Sequence, residues 1–133
     1  NGWIASRDWS PLSPEVVNLY DAMDYVVKPA TFDKQCSLVE LLASSPQSPA
    51  WFVSHWWGEA IANFVRCLQQ HARDRVLQPG DAYWVCAYAN NQWNAAAEVG
   101  DNPEESSFRR AMGLAQGTIS VLDSGRVCYT RIW

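Results

Sequence analysis

The sequence predicts an α/β fold: an incomplete parallel sheet of about three to four strands, with an N-terminal helical extension. Three observations carry this expectation. From residue 49 onward, apolar strand-like runs alternate with helical patterns in the order strand, helix, strand, helix, strand, and such alternation makes a parallel sheet because each crossover needs a helix to bring the chain back. The run Ala82 to Ala89 is apolar nearly throughout, as expected of a strand covered on both faces. Before residue 49 the periodicity is helical only, and Ser44-Ser45-Pro46-Gln47-Ser48-Pro49, rich in turn formers, separates the two regions. The division is therefore an arm and helical extension over 1–48 and an α/β domain over 49–133. A chain of 133 residues is long enough to bury a sizeable core.

Residues 1–12 show no period and contain Trp3, Trp9 and Pro11, which reads as an arm in need of a surface. Ser13-Pro14-Glu15 predicts a helix start, with a hydroxyl cap, a proline in the first turn and an acid beside it. Val16, Leu19, Tyr20, Met23 and Val27 follow at three- and four-residue steps, one apolar face, and Pro29 is expected to end the helix. Ser37 to Ala43 repeats the pattern in shorter form. Trp51-Phe52-Val53 reads as the first strand, Ser54-His55 as a polar corner, and Glu59 to Arg75 as a helix with Ile61, Phe64, Val65, Leu68 and Ala72 on one face. Pro79-Gly80-Asp81 is a turn before the strand Ala82–Ala89. Residues 90–105 read as a polar loop, Ser106 as the cap of a helix carrying Phe108, Met112 and Ala115, and Thr118 to Leu122 as the third strand. The chain stops at Trp133, where a further helix is expected, and it opens on Asn1, as a processed or partial product would.

Composition narrows the function. Hydrophobic residues make up 48% and the net charge is −4, which argues against a disordered tail. No segment carries the basic excess that holds a phosphate backbone, so nucleic-acid binding is disfavoured. The longest apolar run, Ala82 to Ala89, is far short of the ~20 residues of a membrane-spanning helix; peripheral membrane association would go through a partner. Cys36, Cys67, Cys86 and Cys128 form no CxxC pair, and with only His55 and His71 no metal-ligand spacing arises. Free thiols fit an intracellular, reducing compartment. Eight tryptophans exceed what a small core needs, so some are expected to face a partner or ligand.

In an open parallel sheet, ligands sit beyond the carboxyl ends of the strands. Those ends here are Ser54-His55, then Tyr88 with Asn90-Asn91-Gln92, then Asp123-Ser124. His55 with Glu59 could be a base and its orienting carboxylate, and Cys86 the nucleophile of a Cys–His hydrolase; the favoured alternative is that His55 hydrogen-bonds the corner and Cys86 is packed. The first strand-to-helix turn offers a single glycine, Gly58, so neither a dinucleotide fingerprint nor a P-loop is present. Of the acids Glu98, Asp101, Glu104 and Glu105, the last two suit a helix N-terminus, while Glu98 stands apart and could enter a cleft. Trp56, Trp57, Trp84 and Trp93 could stack on a planar ligand or fill the core.

The stretch Trp51-Phe52-Val53-Ser54-His55-Trp56-Trp57-Gly58-Glu59 resembles the first strand and corner of Toll/interleukin-1 receptor (TIR)-like domains. Tyr83 through Gln92 is similar to a later strand of that family ending near an Asn-Gln pair, and Phe108 through Asp123 to the helix and strand that follow. Tyr129-Thr130-Arg131-Ile132-Trp133 is similar to the Arg-x-Trp that opens the next helix. The SHWWGE and CAYANNQW wording is similar to TIR-like proteins of dinoflagellate algae. Over residues 50–133 the resemblance implies a flavodoxin-like fold, used as an interaction module or as an NAD-cleaving enzyme. In the enzymatic case Glu98 matches the catalytic glutamate best, Glu104 and Glu105 compete with it, NAD is the substrate, and Trp57 or Trp93 stacks on a ring.

The leading expectation is a non-enzymatic protein-interaction module within a larger assembly, which the algal resemblance would place in a plastid or other organelle. Its contacts would be Trp3, Trp9, Trp56, Trp57, Trp93, Asn90, Asn91 and Gln92, with no cofactor and no metal. NAD hydrolysis through Glu98 and a Cys86–His55 hydrolase are the enzymatic alternatives.

Overall fold

Residues 13–130 are described by a computed structural model. The chain order is α1 (Leu19–Ala22), a π-helical turn (Met23–Val27), α2 (Lys28–Thr31), α3 (Leu38–Leu42), β1 (Pro49–Ser54), α4 (Ile61–Asp74), β2 (Ala82–Trp84), α5 (Cys86–Ala89), α6 (Ala95–Val99), α7 (Ser107–Leu114) and β3 (Gly117–Ser120), with short 3₁₀ turns at Pro103–Glu105 and Val127–Thr130. The strands form one parallel sheet in the order β2-β1-β3, so the α/β class with an incomplete parallel sheet is what the chain adopts.

Side-chain alternation along β1 divides the two faces. Val53 turns toward Leu19, Met23, Val27 and Phe64, together with Val85, Ala87 and Val121, in one buried cluster. Phe52 turns the other way: its ring stacks on Trp84 at 5.0 Å, and Trp84 meets the edge of Phe108 of α7 at 5.1 Å. Helix α7 packs against β1. Trp51 lies across Gly117 of the neighbouring strand, so closely that a Cβ there would sit 2.8 Å from the indole.

The region before residue 49 shares this core. Leu19 N–H donates to Trp57 O at 2.9 Å, Ile61 N–H donates to Val17 O at 2.8 Å, and Asn18 bridges Ala60, which clamps the first helix onto the β1–α4 corner. Its N-cap is Asn18, not Ser13: the Asn18 side chain accepts from the Asp21 amide while the Asp21 carboxylate accepts from the Asn18 amide. Ser13 closes only the turn before it.

Pro29 does not end the helix, contrary to expectation. The preceding turn widens to π geometry, with Lys28 N–H bonding back to Met23 O, which accommodates a residue that has no N–H and whose ring would press on the carbonyl four residues back. The wider turn also serves packing. Leu19, Met23, Val27 and Thr31 recur every fourth residue, a spacing that drifts about 40° per step on a regular α-helix, yet all four are buried. Val16 and Tyr20, expected on the same face, are exposed.

The apolar run after Pro79 is a strand only to Trp84; Cys86–Ala89 forms a helical turn. Residues 95–99 are helical within the expected loop. Ser106 caps its helix as read, accepting from Arg109 N–H, and Ser37 likewise caps α3, accepting from Glu40 N–H.

Helix α4 ends in a Schellman motif, with Leu77 N–H donating to Ala72 O and Val76 N–H to Arg73 O. The left-handed position is taken by Val76, at φ 54° and 76% exposed. A β-branched residue is strained there and contributes no burial. Val76→Gly is therefore expected to raise stability by about 1 kcal/mol, read as a higher midpoint in chemical denaturation; an unchanged or lower midpoint would show that the strain is relieved elsewhere. No helix among the described residues is long and apolar enough to cross a membrane.

Candidate functional site

The order β2-β1-β3 reverses direction between β1 and β3, so the carboxyl ends of these strands are where an α/β sheet offers a crevice. At that rim Ser54 O accepts the Val121 amide at 2.9 Å, closing the gap between the two strands.

His55 follows directly. It is 3% exposed, and neither ring nitrogen has a hydrogen bond of normal geometry among the described residues. Its ring lies 4.6 Å from that of Phe64. Burial lowers its pKa to about 4, opposed by a weaker backbone interaction with Val53, so the imidazole is neutral. The less favoured pairing with Glu59 is not made: Glu59 Oε1 accepts from Asn63 Nδ2 of α4 at 2.7 Å. The corner hydrogen bond expected of His55 is also absent.

The two adjacent tryptophans diverge because they lie in a turn rather than on a strand. Trp56 folds over Gly58, leaving no room for a Cβ. Trp57 turns inward, its Nε1 donating to Cys86 Sγ at 3.2 Å and its ring meeting Tyr20 at 5.4 Å. Cys86 opens α5 rather than sitting mid-strand, and it is buried. Burial pushes its thiol pKa up, only partly countered by the Trp57 hydrogen bond. A thiol held protonated is a poor nucleophile.

The segment Asn90-Asn91-Gln92-Trp93 is fastened to its surroundings through each of its last three residues. Gln92 Nε2 reaches the carbonyls of Cys86, Ala87 and Asn90 at 3.1–3.4 Å and so caps α5. Asn91 Nδ2 donates to Gln35 O at 2.7 Å, and its Oδ1 accepts the Trp93 amide at 3.0 Å. Trp93 Nε1 donates to Thr31 Oγ1 at 2.9 Å, and its ring meets Phe32 edge-on at 5.6 Å. Asn90 is buried. Glu98, half-buried on α6, turns back so that Oε1 accepts the Asn91 amide at 3.3 Å. At the third strand's end, Asp123 accepts from the amides of Gly125 and Val127. Trp84 is packed between Phe52 and Phe108, as described above.

The structure thus brings His55, Trp57, Cys86 and the 90–93 segment to one rim, while their polar atoms are buried or hydrogen-bonded within the chain. Trp3 and Trp9 lie outside the described residues. No group of three metal-ligating side chains occurs among the described residues.

Sequence reasoning missed the acceptors Thr31 and Gln35, which no local motif marks. It also missed a groove of about 480 Å³ along the first helix and the start of α4, lined chiefly by Pro14, Val17, Ala22, Tyr25, Val26 and Ile61. Its volume is that of a small binding pocket. The available signal was the apolar residues of 14–26 that fall outside the Leu19–Met23–Val27 line. Comparison of the chain with family models, curated proteins and solved structures finds no match.

Proposed function

We propose that this chain is a TIR-like α/β module that works by protein contact rather than by catalysis, as part of a larger assembly. One observation carries the reading. The polar side chains nominated for chemistry at the rim are buried or spent on internal hydrogen bonds, whereas the open concave groove beside Val26 and Ile61 is lined mainly by apolar side chains. Apolar concavities with few polar groups suit an apolar segment of another protein. The parallel β2-β1-β3 order with a helix after β1 belongs to the α/β class that the TIR-like expectation requires.

Two measurements test this together. Nicotinamide release from NAD by the purified chain at high protein concentration is expected to stay at the blank level, for wild type and for Glu98→Ala alike. Val26→Asp, a change at a half-exposed groove position, is expected to remove co-purifying partners while the circular dichroism spectrum is retained. Release that disappears with Glu98→Ala overturns the reading in favour of an NAD glycohydrolase. Undiminished partner recovery by Val26→Asp removes the groove from the role.

A further inference from the structure

We infer that the groove beside Val26 and Ile61 takes an amphipathic helix of a partner protein, one whose polar face is basic. The inference rests on the contact function proposed above and adds to it the form and the charge of the partner.

The walls of the groove select a helix. It runs between the first helix and the start of α4, and Val17, Ala22, Val26 and Ile61 supply much of its apolar lining. Val65, one helical turn after Ile61 and 41% exposed, continues that surface along α4. The main chain of both walls is already paired: Ala22 N–H donates to Asn18 O, Ile61 N–H to Val17 O and Phe64 N–H to Ala60 O. An extended segment laid against helical walls has no strand edge to join, and would bring its own amides and carbonyls unpaired into an apolar cleft. A helix satisfies its main chain internally and presents apolar side chains at i, i+3, i+4 and i+7.

The border of the groove selects the charge. Asp21 is part of the lining. Asp24, three residues further on, and Glu15, next to the lining residue Pro14, are exposed, and Glu59 stands two residues before Ile61. Residues 13–26 and 59–62 hold these four acids and no Lys or Arg. The chain has 14 acidic and 10 basic residues, so the remainder is balanced at 10 against 10 and the whole net charge of −4 borders this groove. The Asp21 carboxylate accepts the Asn18 amide, and none of the four acids is in an ion pair among the described residues. The bases that follow these segments are Lys28 and Arg66; Arg66 donates to Asn63 Oδ1 at 3.4 Å and adds a small favourable interaction with the Glu15 carboxylate. An apolar groove with an acidic border attracts an apolar stripe flanked by Lys and Arg, and it repels an acidic helix or an anionic lipid surface.

The test is a selection, against the full chain, from a displayed library of helical peptides about 18 residues long. The library keeps an apolar stripe fixed and varies the polar face among Lys, Glu, Gln and Ser. Peptides that also bind Ala62→Phe, a variant that fills the groove with a ring and is checked for folding by circular dichroism, are discarded. The remaining binders are expected to be enriched in Lys on the polar face. Their affinity is expected to fall about tenfold as salt rises from about 50 to 500 mM. It is expected to fall at least threefold when Glu15→Gln and Asp24→Asn, both at exposed positions, are combined. Groove-dependent binders with a neutral or acidic polar face, or an affinity indifferent to the double exchange, would overturn the basic partner while leaving the groove a contact site. A selection that yields no groove-dependent helix would overturn the inference outright. The contact function is judged separately, by partner recovery with Val26→Asp, so either can fail without the other.

Discussion

Cutting Phe64 to alanine is expected to cost about 3–5 kcal/mol, the range for removing a buried aromatic ring from a packed core. Phe64 is 3% exposed on α4 and belongs to the cluster that joins the first helix, β1 and the segments after β2 and β3. Its neighbours cannot close the gap readily, since His55 lies against one side of the ring and cannot supply a better contact without moving β1's end. A domain of this size is stabilised by about 5–15 kcal/mol in all, so the variant is expected to unfold at markedly lower denaturant with a similar slope. A loss below about 1 kcal/mol would mean that the shared core is not the structural centre of the chain.

The second large effect belongs to His55. Its pKa falls from 6.5 in the unfolded chain to about 4 in the fold because burial disfavours the imidazolium. Between those values the unfolded state binds a proton that the folded state refuses, so stability falls as pH drops from about 6.5 to 4 and levels off below. A separation of that size corresponds to roughly 3 kcal/mol. Replacing His55 with phenylalanine removes the proton site and both unpartnered nitrogens from the interior. The stability difference between His55→Phe and wild type is therefore expected to widen through the same window, with little change from pH 7 to 8. Parallel stability curves across pH 4–6.5 would show that His55 is solvated in the folded chain.

Much of the scaffold was legible because local chemistry specified it. Ser106 is followed by the amide it caps, and the alternation after residue 49 permits few alternatives to a parallel sheet. Legibility failed where a tertiary demand overrode a local rule. Pro29 signals a stop, but burying Leu19, Met23, Val27 and Thr31 in one line favours a wider turn that lets the helix continue. The run Ala82–Ala89 is apolar in either conformation, and periodicity alone cannot separate a buried strand from a buried helical turn. At the rim, the sequence grouped His55 with Asn90–Gln92 but set Cys86 in mid-strand, where α5 in fact begins. It could not show that Gln92 and Asn91 bond to carbonyls rather than to a ligand, because their acceptors in Cys86, Ala87 and Gln35 are main-chain atoms that carry no signature. The single core joining the first helix to the sheet was hidden for a related reason: its clamps are amide-to-carbonyl bonds at Leu19, Trp57, Val17 and Ile61.

The central position of β1 has a consequence for biogenesis. A chain emerging from the ribosome presents β1 before either of its partners, β2 following the whole of α4 and β3 following α5, α6 and α7. Parallel pairings of this separation close slowly. Throughout that interval Trp51, Phe52 and Val53 have an open edge and bare faces, apart from what the already synthesised first helix can shield. Leu19, Met23 and Val27 thus act first as an escort for β1, holding one side dry while the remaining strands are made, and only later as part of the finished interior.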